Sequence, residues 1–191
     1  MEEERDERFI NVGNYSYNMN EIKLLQPFFL QPMTKFGVRE LGRITNVDTK
    51  TVMKYLQEFA QRRIVVKREE KGKFAYYEAN RSSYVYRHEK SEAVVKEIVE
   101  SGLIEYLEQE LKPKTIVLFG SVQRGTYHAQ SDVDLFVQAD YRLVDTRIFR
   151  KKIGHNIQII FETNLHKLSS GLLENIYNGM VLAGKLEVLR S

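Results

Sequence analysis

The sequence has no cysteine and no tryptophan, and only three prolines and four histidines in 191 residues. Without cysteine there are no disulfides, thiolate metal sites or cysteine nucleophiles. That composition suits a reducing compartment, so a cytoplasmic location is expected. Long apolar runs are also missing. The most apolar early stretch, Ile22 to Leu30, is interrupted by Pro27 and closed by Pro32, well short of the ~20 residues that a membrane span requires. No membrane segment is expected. Met1 to Arg8 is acidic where a secretory signal would be basic and then apolar, and residues 1–14 read as a disordered tail.

What is present is enough apolar residue, 42% of the chain, for one medium core or two small ones, and two small domains are expected. The net charge of +3 is unevenly divided. Residues 9 to 90 carry 15 Lys+Arg against 8 Asp+Glu, whereas residues 91 to 191 carry 12 against 13. The first half is therefore the basic module, as attraction to a phosphate backbone would need, although a solvated surface carries such an excess equally well.

Apolar residues Val38, Leu41, Ile44, Val52, Leu56 and Phe59 are spaced for two short helices, with Thr45-Asn46-Val47-Asp48 as the turn between them. The second helix is expected over residues 49–61, with Val52, Leu56 and Phe59 inward and Lys50, Thr51, Lys54 and Tyr55 outward. Ile64-Val65-Val66 and Phe74-Ala75-Tyr76-Tyr77-Glu78 then read as a hairpin whose charged tip spans Lys67 to Lys73. This order of helix, helix, strand, charged turn and strand resembles the winged helix-turn-helix family over residues 15–81. The resemblance implies that Lys50, Thr51, Lys54 and Tyr55 face the major groove of double-stranded DNA. It also implies that Lys67, Arg68, Lys71 and Lys73 meet phosphates. Glu69 and Glu70 in the wing oppose that role, and the same module serves elsewhere for protein contact and dimerisation. A homodimer reading paired half-sites fits the DNA-binding alternative.

Residues 82–101 are helical in pattern, with Val94, Val95, Ile98 and Val99 on one stripe, and read as a linker helix. Ser101-Gly102 breaks it, and Leu103, Ile104, Leu107 and Leu111 open the C-terminal domain, residues 102–191. Tyr84, Tyr86, Arg87 and His88 cluster at the start of the linker and are assigned no chemistry.

Thr115 to Phe119 is a continuous apolar strand that ends in Gly120-Ser121. A second strand, Ser131 to Val137, places Asp132 and Asp134 on one face by its period of two. Adjacent carboxylates repel unless a cation lies between them, and an oxygen-only site of this kind favours Mg2+. The segment from Gly120 to Leu135 closely resembles the signature of the DNA polymerase beta-like nucleotidyltransferase superfamily, in particular its minimal members. The resemblance covers about Leu103 to Leu189. It implies nucleoside triphosphate (NTP) binding, ATP included, through Gly120, Ser121, Arg124 and Gly125. It also implies Mg2+ or Mn2+ at Asp132 and Asp134.

Members of that family carry a third carboxylate on a neighbouring strand, here Asn156 to Glu162, but Gln158 occupies the position. An amide neither takes a proton nor holds a second metal strongly. Glu162 shares the parity of Gln158 and is the substitute candidate, while Asp140 and Asp145 read as loop residues. The overall expectation is an α+β protein: a winged helix-turn-helix followed by a small α/β nucleotidyltransferase-type domain with a mixed sheet. Its expected activity is nucleotidyl transfer to a hydroxyl acceptor on a protein, RNA or small molecule. A toxin partner is one acceptor the resemblance implies. The alternative is a DNA-binding regulator whose second domain senses nucleotide, or mediates assembly, without turnover.

Overall fold

The computed structural model describes residues 10–12, 15–72 and 74–187. The chain divides into two compact units, Met1–Glu92 and Ala93–Ser191. The elements of the first unit are β1 (Ile10–Val12), β2 (Tyr15–Tyr17), α1 (Met19–Leu30), β3 (Phe36–Gly37), α2 (Val38–Thr45), α3 (Thr49–Gln61), β4 (Val65–Arg68) and β5 (Tyr76–Ala79). The helix α4 (Tyr84–Ser101) follows and runs through the division. Ile10–Val12, assigned to the tail by sequence, instead pairs antiparallel with Tyr15–Tyr17. The β-branched and aromatic residues on both sides favour a strand over a coil there.

Three helices and a three-stranded antiparallel sheet, order β3-β5-β4, make up the rest of this unit. Helix α3 begins where Asp48 accepts a hydrogen bond from the Thr51 amide at 3.0 Å, satisfying one of the free donors of the first turn. The turn before it is tight. Asn46 adopts a left-handed conformation, and a Cβ added at Gly42 would lie 2.9 Å from the Val47 carbonyl oxygen, so a larger residue there would force the helices apart. Leu24, Phe28, Leu41, Val52, Leu56, Phe59 and Ile64 form a fully buried core. Ile44, expected inward, is 52% exposed because the short helix α2 presents only Leu41 to that core. The hairpin strands lie further along the chain than expected, which puts Lys67 and Arg68 in β4 opposite Tyr77 and Tyr76.

Two polar features fix α1 against the rest of this unit. Arg62, at the end of α3, bridges Glu21 of α1 at 2.6 Å and Glu89 of α4 at 2.7 Å. Burial pushes the pKa of the Glu89 carboxyl up to about 7. The second feature follows from a proline. The carbonyl of Phe28 would ordinarily accept from the amide of residue 32, but Pro32 has none, and the buried Tyr86 hydroxyl donates to that carbonyl at 2.7 Å instead.

In the second unit, α5 (Leu103–Leu111) precedes a mixed four-stranded sheet of order β8-β7-β6-β9. Its strands are β6 (Thr115–Phe119), β7 (Val133–Val137), β8 (Ile157–Phe161) and β9 (Met180–Gly184). Strand β6 pairs antiparallel with β7 and β9, and β7 pairs parallel with β8. Between the strands lie α6 (Gly120–Gln123), α7 (Arg147–Ile153) and α8 (Ser170–Tyr177), with a 3-10 turn at Leu165–Lys167. One sheet face carries Val117, Phe119 and Phe136, packed with Leu165 and with Ile176 of α8. Ile116, Leu118, Val133, Leu135 and Val137 alternate to the other face and are fully buried. That two-sided burial accounts for the unbroken apolar run of β6.

Tyr86→Phe removes the hydroxyl that replaces the missing amide of Pro32. The expected outcome is a loss of about 1–3 kcal/mol from the unfolding free energy of the first unit, read by chemical denaturation followed by circular dichroism.

Candidate functional site

The second unit brings its chemistry to the end of the sheet where β6 finishes and β7 and β8 begin. Phe119, the last residue of β6, is registered opposite Asp134, the second residue of β7. The chain leaves β6 through Gly120 at φ +77°, a left-handed conformation that an L side chain resists. A Cβ at Gly120 would lie 2.1 Å from Oδ2 of Asp134, so the carboxylate rests directly on the glycine backbone. Only glycine allows that approach.

Asp132 immediately precedes β7, and its charge is felt at Asp134. Burial first, and then the Asp132 carboxylate, hold the Asp134 carboxyl above its usual range, with the Arg124 guanidinium opposing both. Arg124 also donates to Asn175 of α8 at 3.3 Å, a tether 51 residues away that the sequence did not reveal. Gly125 has φ +66° and donates its amide to the Val122 carbonyl at 3.0 Å, closing the turn. The Ser121 carbonyl accepts from the Thr126 amide at 2.9 Å, and Thr126 is a second supporting residue missed by sequence. Gly120, Ser121, Arg124, Gly125, Asp132 and Asp134 are thus gathered at one end of the sheet.

Glu162 is not among them. Registration places Gln158, not a carboxylate, directly opposite Asp134. Four residues of strand carry the chain about 13 Å from Gln158 to Glu162. There the Glu162 amide donates to Val137 at 3.4 Å, and its carboxylate accepts from the Asn164 amide at 2.9 Å. That hydrogen bond from the Asn164 amide holds the carboxyl below its usual range. The assignment of Glu162 as a catalytic residue is therefore corrected: its parity matched, but it occupies the wrong end of the strand. Asp145 is engaged by Arg147 at 2.7 Å and does not substitute either.

Among the described residues no group of three or more His, Cys, Asp or Glu side chains is arranged to hold a metal ion. The donor set of Asp132 and Asp134 fits one hard divalent cation that completes its shell with water and phosphate oxygens. Mutual repulsion and burial at Asp134 are what such a charge would relieve. A second tightly held cation does not fit, since Gln158 offers only a neutral oxygen.

In the first unit, Lys50 and Lys54 lie exposed on α3, with Thr51 half-buried. Tyr55 does not share that face. It is 7% exposed, its ring is 6.0 Å from that of Phe59, and its hydroxyl accepts from the Asn18 side-chain amide. Val52, Tyr55, Leu56 and Phe59 follow the i, i+3, i+4, i+7 spacing of a buried helix stripe, which is why the outward placement of Tyr55 is corrected. On the hairpin, Lys67 pairs with Glu69 at 2.5 Å and Arg68 with Glu78 at 2.8 Å, while Lys71 is exposed without a partner among the described residues. Lys73 lies outside the described residues. No described helix is long and apolar enough to cross a membrane.

Gly120→Ala forces a side chain into a left-handed backbone and into the Asp134 carboxylate. The expected outcome is a loss of at least about 1–2 kcal/mol from the stability of the second unit, with a displaced carboxyl resonance of Asp134 in carbon-13 spectra.

No curated protein and no solved structure matches the chain. Residues 100–175, which hold β6, β7, β8 and both aspartates, match the family model of a nucleotidyltransferase domain, and this supports the nucleotidyltransferase superfamily for that part of the chain.

Proposed function

We propose that the second unit binds a nucleoside triphosphate beside Gly120, Ser121, Arg124 and Gly125. In this reading it holds one Mg2+ or Mn2+ at Asp132 and Asp134 and transfers the nucleotidyl group to a hydroxyl acceptor. The observation that carries this reading is the Asp134 carboxylate seated on the Gly120 backbone beside Asp132. A bound divalent cation would supply neutralising charge for the phosphates. Asp132 and Asp134 present the oxygens that hold it, Ser121 offers a hydroxyl donor, and Arg124 adds a positive charge whose position is steadied by Asn175. In the transfer, the acceptor oxygen bonds to the α-phosphorus, the bond to the bridging oxygen breaks, and pyrophosphate leaves with the electron pair. The hydroxyl proton passes to water, because Gln158 accepts none.

Gln158 opposite Asp134, with Glu162 held at the far end of β8, favours a second reading in which nucleotide is bound without turnover. The protein is then a DNA-binding regulator with a nucleotide-sensing unit. Incubation with labelled ATP, CTP, GTP or UTP and Mg2+ or Mn2+, in a lysate that supplies acceptors, separates the two. Slow label transfer is expected from the wild type and none from Asp134→Ala. Gln158→Asp, which restores a base across from Asp134, is expected to raise transfer about 100-fold. Absence of label with every nucleotide, in the wild type and in Gln158→Asp alike, would overturn the transfer reading and leave the regulator.

For the first unit the proposed role is a winged helix on double-stranded DNA, with Lys50, Thr51 and Lys54 toward the groove and Lys67, Arg68, Lys71 and Lys73 toward phosphates. The pairs to Glu69 and Glu78 are on the surface and weak, so phosphates exchange for them at small cost. A homodimer on paired half-sites, a cytoplasmic location and a protein acceptor such as a toxin partner belong to the same proposal. Replacing Lys50 and Lys71 by alanine is expected to weaken duplex binding and to flatten its dependence on log salt by about 0.9 for each phosphate no longer neutralised. No duplex binding at low salt would sink this assignment.

A further inference from the structure

The second unit also contains an open cavity of about 540 Å³ that none of the preceding assignments uses. Its walls come from the loop Ala129-Gln130-Ser131, from α7 through Arg147, Arg150 and Lys151, and from Gly154-His155-Asn156 at the entry to β8. The three cations recur at i, i+3 and i+4, which puts them on one side of α7, and no carboxylate of the described residues lines the cavity. Arg147 is partly neutralised by Asp145 and Arg150 donates to Asn156, while Lys151 has no partner among the described residues.

The far wall is built firmly. His155 is buried, its Nδ1 is 2.8 Å from the Ser131 carbonyl oxygen, and its ring meets that of the buried Tyr127 edge-on at 5.3 Å. The Val133 amide donates to the Asn156 carbonyl at 2.8 Å, so both wall segments are locked to the start of β7. A concave surface with three cations, polar amides and the size of a small-molecule site calls for a compact anion.

We propose that this cavity binds the phosphate of a sugar phosphate monoester of nucleotide size. Binding of the phosphate itself needs neither nucleotide nor metal.

The test is titration of the full chain, without nucleotide or divalent cation, by nitrogen-15 and proton spectra. The probes are ribose 5-phosphate, ribose, and a 5′-phosphorylated RNA trimer. Saturable shifts confined to residues 129–131, 147–151 and 154–156 are expected with the phosphorylated probes and not with ribose. The tighter of the two phosphorylated probes identifies a free sugar phosphate or an RNA end as the source. Lys151→Glu, at an exposed position, is expected to weaken binding at least tenfold, and Asp134→Asn to leave the shifts in place. Shifts at residues 120–125 instead, equal binding of ribose, or no saturation would overturn the proposal. A positive titration combined with no label transfer in Gln158→Asp would sink the transfer reading alone.

Discussion

Strand β6 is buried on both faces along its whole length and is hydrogen-bonded on both edges, to β7 and to β9. Everything at the candidate site depends on how that strand stops. A fully buried strand must leave the sheet sharply, and the left-handed Gly120 makes the exit while clearing the volume that the Asp134 carboxylate fills. The same register that seats Asp134 on the glycine brings Gln158 alongside it from β8. The seat of the Asp134 carboxylate and the neutral amide alongside it are thus set by one register.

The first unit is organised around a comparable constraint. Pro32 denies α1 a closing amide, and the Tyr86 hydroxyl of α4 supplies the donor. Arg62 joins α1, α3 and α4 through Glu21 and Glu89. These buried polar contacts cost desolvation, visible in the raised carboxyl of Glu89, so their value lies in specifying how the helices meet as much as in net stability. The consequence for function is that α3 is held with Lys50 and Lys54 exposed while Tyr55 is drawn into the core.

The two units differ in what their surfaces offer. On the hairpin of the first, glutamates partly neutralise the basic residues, leaving Lys71 as a cation with no partner among the described residues. In the second, which has the less positive balance, three cations of α7 converge on a cavity without a carboxylate among its described lining residues. Charge counted along the chain therefore located the basic half but not this concentrated basic lining, because convergence is a property of helix faces and not of totals.

By itself the sequence determined the helix boundaries of α3, the full extent of β6, the break at Gly102 and the shared strand face of Asp132 and Asp134. Each of these follows from short-range spacing: periods of two or 3.6, a cap, a glycine. Gln158 was singled out only by the family resemblance, which implies an acid at that position. Only the tertiary structure decided that Glu162 is remote, because parity fixes the face of a strand while register and length fix the end. Tertiary packing likewise turned Tyr55 inward and tied Arg124 to Asn175. It also folded α7 back against the entry to β8 to make the cavity, since such contacts join residues whose separation along the chain carries no periodic signal.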